Sequence, residues 1–122
     1  KKIKASIMCA FFMDRLEKIT VESSHYGSWF LPHEEHLLIP SWFKGGFTDA
    51  NLLSMVCPRA LQIAEGKKDT TSWWPLQKKE FQKLYQHYDK LGVKENIEFL
   101  CHEGTHEVVI EPGLRFLERT LL

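Results

Sequence analysis

Three short apolar runs and two amphipathic periods organise the 122 residues of this chain. Ile3 to Phe12 is almost continuously apolar, too short for a long helix and suited to a strand buried on both faces. Ala60-Leu61-Gln62-Ile63-Ala64 is a second run, entered through Pro58-Arg59 and stopped by Gly66, which predicts a buried strand with a sharp exit. Ile97-Glu98-Phe99-Leu100-Cys101 is a third, ending at His102-Glu103-Gly104. Between the last two, Phe81, Leu84, Tyr85, Tyr88 and Leu91 recur at steps of three and four, an apolar stripe on a helix whose lysines face elsewhere. Pro75 suits its first turn, Ser72 or a neighbour its cap, and Gly92 its end. A last helix is predicted from about Pro112, with Leu114, Leu117 and Leu121 on one side. From Met13 to Ser54 no period holds, and Pro32, Pro40 and Gly45-Gly46 interrupt the chain. That stretch is an irregular excursion with one or two short helices, one of them over Asp49 to Met55.

The order strand, excursion, strand, helix, strand, helix predicts an α/β fold with about three parallel strands, since a strand–helix–strand crossover pairs its strands in parallel. A sheet of three strands with two covering helices leaves edges and faces open, and the chain does not begin with Met. The expectation is that residues 1–122 are the C-terminal portion of a single larger α/β-hydrolase-like domain, with 13–54 as a cap or pocket insertion.

Composition narrows the function by exclusion. Lys+Arg 16 against Asp+Glu 16 gives no net charge, so no electrostatic case exists for a nucleic acid or an anionic membrane as partner. No apolar run approaches the ~20 residues that span a bilayer, and Lys1-Lys2-Ile3-Lys4 does not open a signal peptide. The three cysteines, Cys9, Cys57 and Cys101, are too dispersed for a disulfide framework or a thiolate zinc site. Nothing in the sequence fixes the compartment. Aromatic residues cluster from Tyr26 to Phe47 and at Trp73-Trp74, where core packing is the simpler reading and a lined pocket the sharper one.

In open parallel sheets the loops at the carboxyl ends of the strands converge, and catalytic groups collect there. Asp69 follows the second predicted strand and His106 the third, so both project from one rim of neighbouring strands. A carboxylate beside an imidazole holds the ring's tautomer and stabilises its cation while it takes a proton from a nucleophile. The plainer readings are a solvated turn for Asp69, after Lys67-Lys68, and a loop histidine bonded to Glu107 or backbone for His106. His102 reads as a strand-end residue.

The stretch Cys57-Pro58-Arg59-Ala60-Leu61-Gln62-Ile63-Ala64-Glu65-Gly66-Lys67-Lys68-Asp69 resembles the segment of dienelactone-hydrolase and acetyl-xylan-esterase-like α/β-hydrolases that leads through a glycine to the triad acid. His102-Glu103-Gly104-Thr105-His106-Glu107 is similar to the loop carrying their catalytic histidine, and an amphipathic terminal helix follows in both. The resemblance runs from about Cys57 to the end. It implies a Ser-Asp-His triad acting through an acyl-enzyme, with Asp69 as acid, His106 as base, and Arg59, Gly66 and Gly104 as scaffold positions. It also implies a small ester or acylated carbohydrate as substrate, with carbohydrate acetyl esterases and peptidase relatives both among the candidates, and no metal or organic cofactor. No G-x-S-x-G occurs, and Gly27-Ser28-Trp29 lacks the second glycine. The serine and the oxyanion hole are therefore expected upstream of Lys1, and the segment alone is expected to be inactive.

Two rivals remain open. His102-Glu103-Gly104-Thr105-His106 matches H-E-x-x-H, which on a helix would set two imidazoles on one face for zinc with Glu103 as base. Against it stand the internal glycine, the strand-like run before it and Pro112 after it. His33-Glu34-Glu35-His36 is a weaker cluster of the same kind. The other rival is a non-catalytic esterase-like binding domain using Trp29, Trp42, Trp73 and Trp74 as stacking surfaces.

Overall fold

The computed structural model describes residues 3–10, 12–20 and 45–122. The cluster His33-Glu34-Glu35-His36, the Gly27-Ser28-Trp29 stretch, Trp29 and Trp42 lie outside them. The elements run β1 (Ala5–Cys9), α1 (Arg15–Thr20), α2 (Asp49–Leu53), β2 (Ala60–Gly66), α3 (Trp74–Lys90), β3 (Ile97–His102) and α4 (Ile110–Leu121). The three strands form a parallel sheet in the order β1-β2-β3. Ala5 pairs with Ala60 at one end of the first ladder, and Gly66 with His102 at the far end of the second.

β2 is the central strand, and all seven of its residues are buried. Its side chains alternate between two faces. Leu61 and Ile63 join Phe12, Ala50, Leu84, Tyr88 and Ile97 in the hydrophobic core, so α3 covers that face. On the other, the Gln62 amide donates to Glu98 Oε1 at 2.8 Å, and Glu98 also pairs with Arg119 of α4. Both partners hold the Glu98 carboxyl below its usual range against the opposing effect of partial burial.

Three expectations change in the structure. β1 is half-buried along its whole length, not buried on both faces, because in the sheet of the described residues it pairs with β2 alone. The buried side of α3 is Leu76, Gln77, Glu80, Leu84 and Tyr88, while Tyr85 and Leu91 of the predicted stripe are exposed. The helix has rotated toward two polar residues, each placed to serve a buried polar group described below. α4 buries Gly113 and Phe116 and leaves Leu114 and Leu121 exposed, since its inner face is set by close approach to the sheet. The N-cap position of α3 falls to Trp73, the neighbour of Ser72.

The described ends of the excursion are tied to α3 by buried polar contacts. Asp49 accepts from Met13 N–H at 3.1 Å and from Arg15 Nε at 3.2 Å. Glu80 accepts the Ala50 N–H at 2.7 Å, and Lys83 bridges Glu80 to Asp14. At the carboxyl end of β1, Ala10 adopts φ 59°, a left-handed conformation that costs an L-residue about 1–2 kcal/mol. Its N–H still donates to Ala64 O at 3.0 Å, so the turn keeps the ladder while redirecting the chain.

Candidate active site

The carboxyl rim of β2 and β3 is extended by main-chain bonds beyond the strands. Lys67 N–H donates to His102 O at 2.8 Å, Lys68 N–H to Gly104 O at 2.9 Å, and Asp69 N–H turns back to Gly66 O at 3.1 Å. This stitching requires Gly66. A Cβ there would lie 2.2 Å from Thr105 O and 2.7 Å from Gly104 O, so any side chain would push the 103–106 loop off the end of β2. Within that loop Gly104 N–H donates to His102 Nδ1 at 3.1 Å and Thr105 N–H to Glu107 Oε1 at 3.0 Å. Lys67 pairs with Glu103 across the two loops, an exposed contact of little energetic weight.

On this frame Asp69 and His106 meet. His106 Nδ1 lies 2.8 Å from Asp69 Oδ2, and the Asp69 side chain is fully buried while the His106 side chain is 53% exposed. The other carboxylate oxygen, Oδ1, accepts both the N–H and the hydroxyl of Thr71, each at 2.7 Å. Thr71 Oγ1 also lies 2.9 Å from His106 Nδ1. With its hydroxyl proton committed to Asp69, Thr71 offers a lone pair to the ring, so both neighbours of Nδ1 are acceptors. That assignment puts the proton on Nδ1 and leaves Nε2 as the basic nitrogen. Burial acts to raise the Asp69 pKa, but the Thr71 hydroxyl, the Thr71 N–H and His106 together outweigh it and hold the carboxyl below its ordinary value. The site therefore couples a fixed anion to a half-exposed imidazole.

Sequence reasoning singled out Asp69 and His106 but not Thr71 or Glu65. The signal for Thr71 was available: a residue two positions after an Asp whose hydroxyl and N–H both turn onto that carboxylate is a recognised local motif. The signal for Glu65 was an acid inside a mostly apolar strand; it is the last residue but one of β2 and fully buried, and its surroundings are taken up below.

No protein-family model matches the chain, and no curated protein sequence does. A solved structure does. The chain is similar to Methylesterase BT1017, with a TM-score of 0.52 and 22% sequence identity over 63% of this chain. The match spans 18% of that chain, and at this identity the likeness is one of fold: an open parallel α/β sheet shared with an esterase.

The remaining singled-out residues fall elsewhere. His102, Glu103 and His106 do not share a helix, because His102 ends β3 and 103–106 are bends. The zinc reading needs them one turn apart on a helical face, and His102 Nδ1 is already engaged by Gly104 N–H. Among the described residues no group of three or more His, Cys, Asp or Glu is gathered for a metal. Trp74 lines an open groove of about 790 Å³ with Lys67, Lys78, Phe81, Tyr85 and Phe99 along the outer edge of β3. Neither Asp69 nor His106 lines it. No helix among the described residues is long and apolar enough to cross a membrane.

Proposed function

We propose that this segment supplies the acid and the base of a serine hydrolase of the carboxylic-ester type, with Asp69 and His106 in those roles. The nucleophilic serine and the oxyanion hole come from another part of the protein. One observation carries the reading: a buried carboxylate receives the Nδ1 proton of a half-exposed imidazole at 2.8 Å, at the rim where parallel sheets gather their chemistry. The esterase fold of the neighbouring structure supports it.

In this reading the serine Oγ attacks the ester carbonyl carbon while its proton passes to His106 Nε2. Asp69 stabilises the resulting imidazolium without itself taking the proton. When the tetrahedral intermediate collapses, the Nε2 proton goes to the departing alkoxide, leaving an acyl-enzyme. Water then repeats the sequence: it gives a proton to Nε2, attacks the acyl carbon, and the serine recovers its proton as the acid leaves. The resemblance to dienelactone-hydrolase and acetyl-xylan-esterase-like enzymes makes small esters and acetylated carbohydrates the first substrates to assay. The neighbouring structure is by name a methylesterase, so methyl esters join them.

The test is fluorophosphonate labelling of the intact protein, with ester turnover compared in wild type, His106→Ala and Asp69→Asn. The expected outcome is a single labelled serine and a fall in kcat of about 10³–10⁴ in each variant. Wild-type turnover in His106→Ala overturns the assignment. Activity that resists the fluorophosphonate and is lost to a chelator returns the reading to zinc.

A further inference from the structure

Beneath the Asp69 loop lies a group of polar side chains for which the chemistry above has no use. Glu65, Ser72 and Gln77 are all fully buried. Among the described residues, both carboxyl oxygens of Glu65, the Ser72 hydroxyl and both ends of the Gln77 amide lack a hydrogen bond of proper geometry. Their placement is nevertheless ordered. Glu65 shares the face of β2 that α3 covers, two residues beyond Ile63. With Trp73 at the N-cap, Ser72 stands just before the helix start and Gln77 in its first turns. The Gln77 amide in turn lies within reach of the Glu65 carboxyl. The segment from Glu65 to Gln77 thus closes on itself, out along the Asp69–Thr71 turn and back through the helix start.

We propose that Glu65 is a positioning residue for the Asp69–His106 pair: fully buried on the α3-facing side of β2, one residue before Gly66, it is the floor that fixes the Asp69 loop. Its effect on turnover rests on the hydrolase reading; its effect on the loop does not.

The surroundings of Glu65 keep it neutral. Burial is the largest influence and pushes its pKa up to about 8; the charge of Asp69 adds to the rise, while the Gln77 amide and the Phe12 N–H oppose it. Of the thiols on the flanking strands, Cys101 is its ladder partner on the same face, while Cys9 pairs with Ala64 and lies on the other; both have pKa values raised by burial first and by the charge of Glu65 in addition. The groups presented by β3 and its own loop are therefore a thiol and an anion. Ionising Glu65 would set a second negative charge beside Asp69 and pull the loop toward water. A carboxyl raised in the fold stabilises it fully below the unfolded value, near 4.5, and that contribution is lost as pH rises through about 8.

Glu65→Gln keeps the shape and removes the titration, whereas Glu65→Leu removes the polar floor. Thermal unfolding of the intact protein is expected to show Glu65→Gln gaining on wild type by on the order of 10 °C between pH 5 and 9. The proton NMR signal of His106 Nδ1–H, held to Asp69, is expected to persist in Glu65→Gln and to broaden into exchange in Glu65→Leu with the helix content unchanged. In ester turnover, Glu65→Gln extends the alkaline limb of kcat past pH 8, and Glu65→Leu lowers kcat about tenfold with KM little altered. Glu65→Gln tracking wild type at every pH, together with an intact Nδ1–H signal in Glu65→Leu, overturns the proposal. If the protein hydrolyses no ester, the unfolding and NMR measurements still decide it, so its failure and that of the hydrolase reading are separable.

Discussion

Thr71 is the residue that makes Asp69 an anion in a buried place. A carboxylate withdrawn from water is costly unless donors replace the water, and Thr71 supplies two of them to one oxygen. Thr71→Val keeps the N–H bond and deletes the hydroxyl. Hydrogen bonds to charged groups contribute about 1.5–3 kcal/mol, so denaturant unfolding at neutral pH is expected to show a loss at the lower end of that range. The pH dependence follows in sign. Asp69 has a lowered pKa in the fold, so its contribution is present above the unfolded value, near 3.8, and is lost as pH falls through the folded one. In Thr71→Val the folded value moves back up, and acid unfolding is expected to begin at higher pH than in wild type. An unchanged acid transition would show that the hydroxyl does not matter to the charge.

At the scale of elements, the two loops that carry Asp69 and His106 are held together by backbone, and Gly66 is what allows it. Gly66→Ala forces its methyl against two carbonyl groups that have no rotamer to escape into; overpacking of this kind costs about 1–3 kcal/mol. Gly104→Ala meets the ends of the Glu107 and His102 side chains instead, which turn aside more readily. Unfolding and turnover measured on both are expected to rank Gly66→Ala as the more damaging, with activity falling further than stability. The same elements show what the sequence made legible. The three strands and the α3 helix were readable because apolar runs and a three-to-four step survive any context. The rim meeting of Asp69 and His106 was readable because parallel strands carry their loops to one end. The burial of Gln77 and Glu80 was not, since periodicity ranks positions by polarity and these two face inward to meet Glu65 and the Ala50 N–H. The exposure of β1 and of the α4 leucines depends on which strand ends up central, a choice no local pattern encodes.

Across the whole molecule, described parts of the excursion between β1 and β2 are anchored on α3. Asp49 is buried and its pKa raised, by burial first and Glu80 in addition, with Arg15 and the Met13 N–H opposing. Glu80 holds the Ala50 N–H and faces Lys83. Glu80→Ala leaves that buried N–H without its acceptor and the Lys83 ammonium with Asp14 alone, a kind of loss that costs about 3–5 kcal/mol when an ion pair is buried and less here because Lys83 keeps a partner and reaches solvent. A fall of about 2–3 kcal/mol in urea unfolding is expected, and no measurable fall would mean that the excursion does not need this anchor. The acid and the base, by contrast, belong to one uninterrupted stretch, β2 through α3 and β3 to the bend at His106. Both members of the 2.8 Å contact and the strands that carry them thus lie within residues 60–106. The pair is in effect a cassette, and a change of length between β1 and β2 is expected to leave its geometry in place.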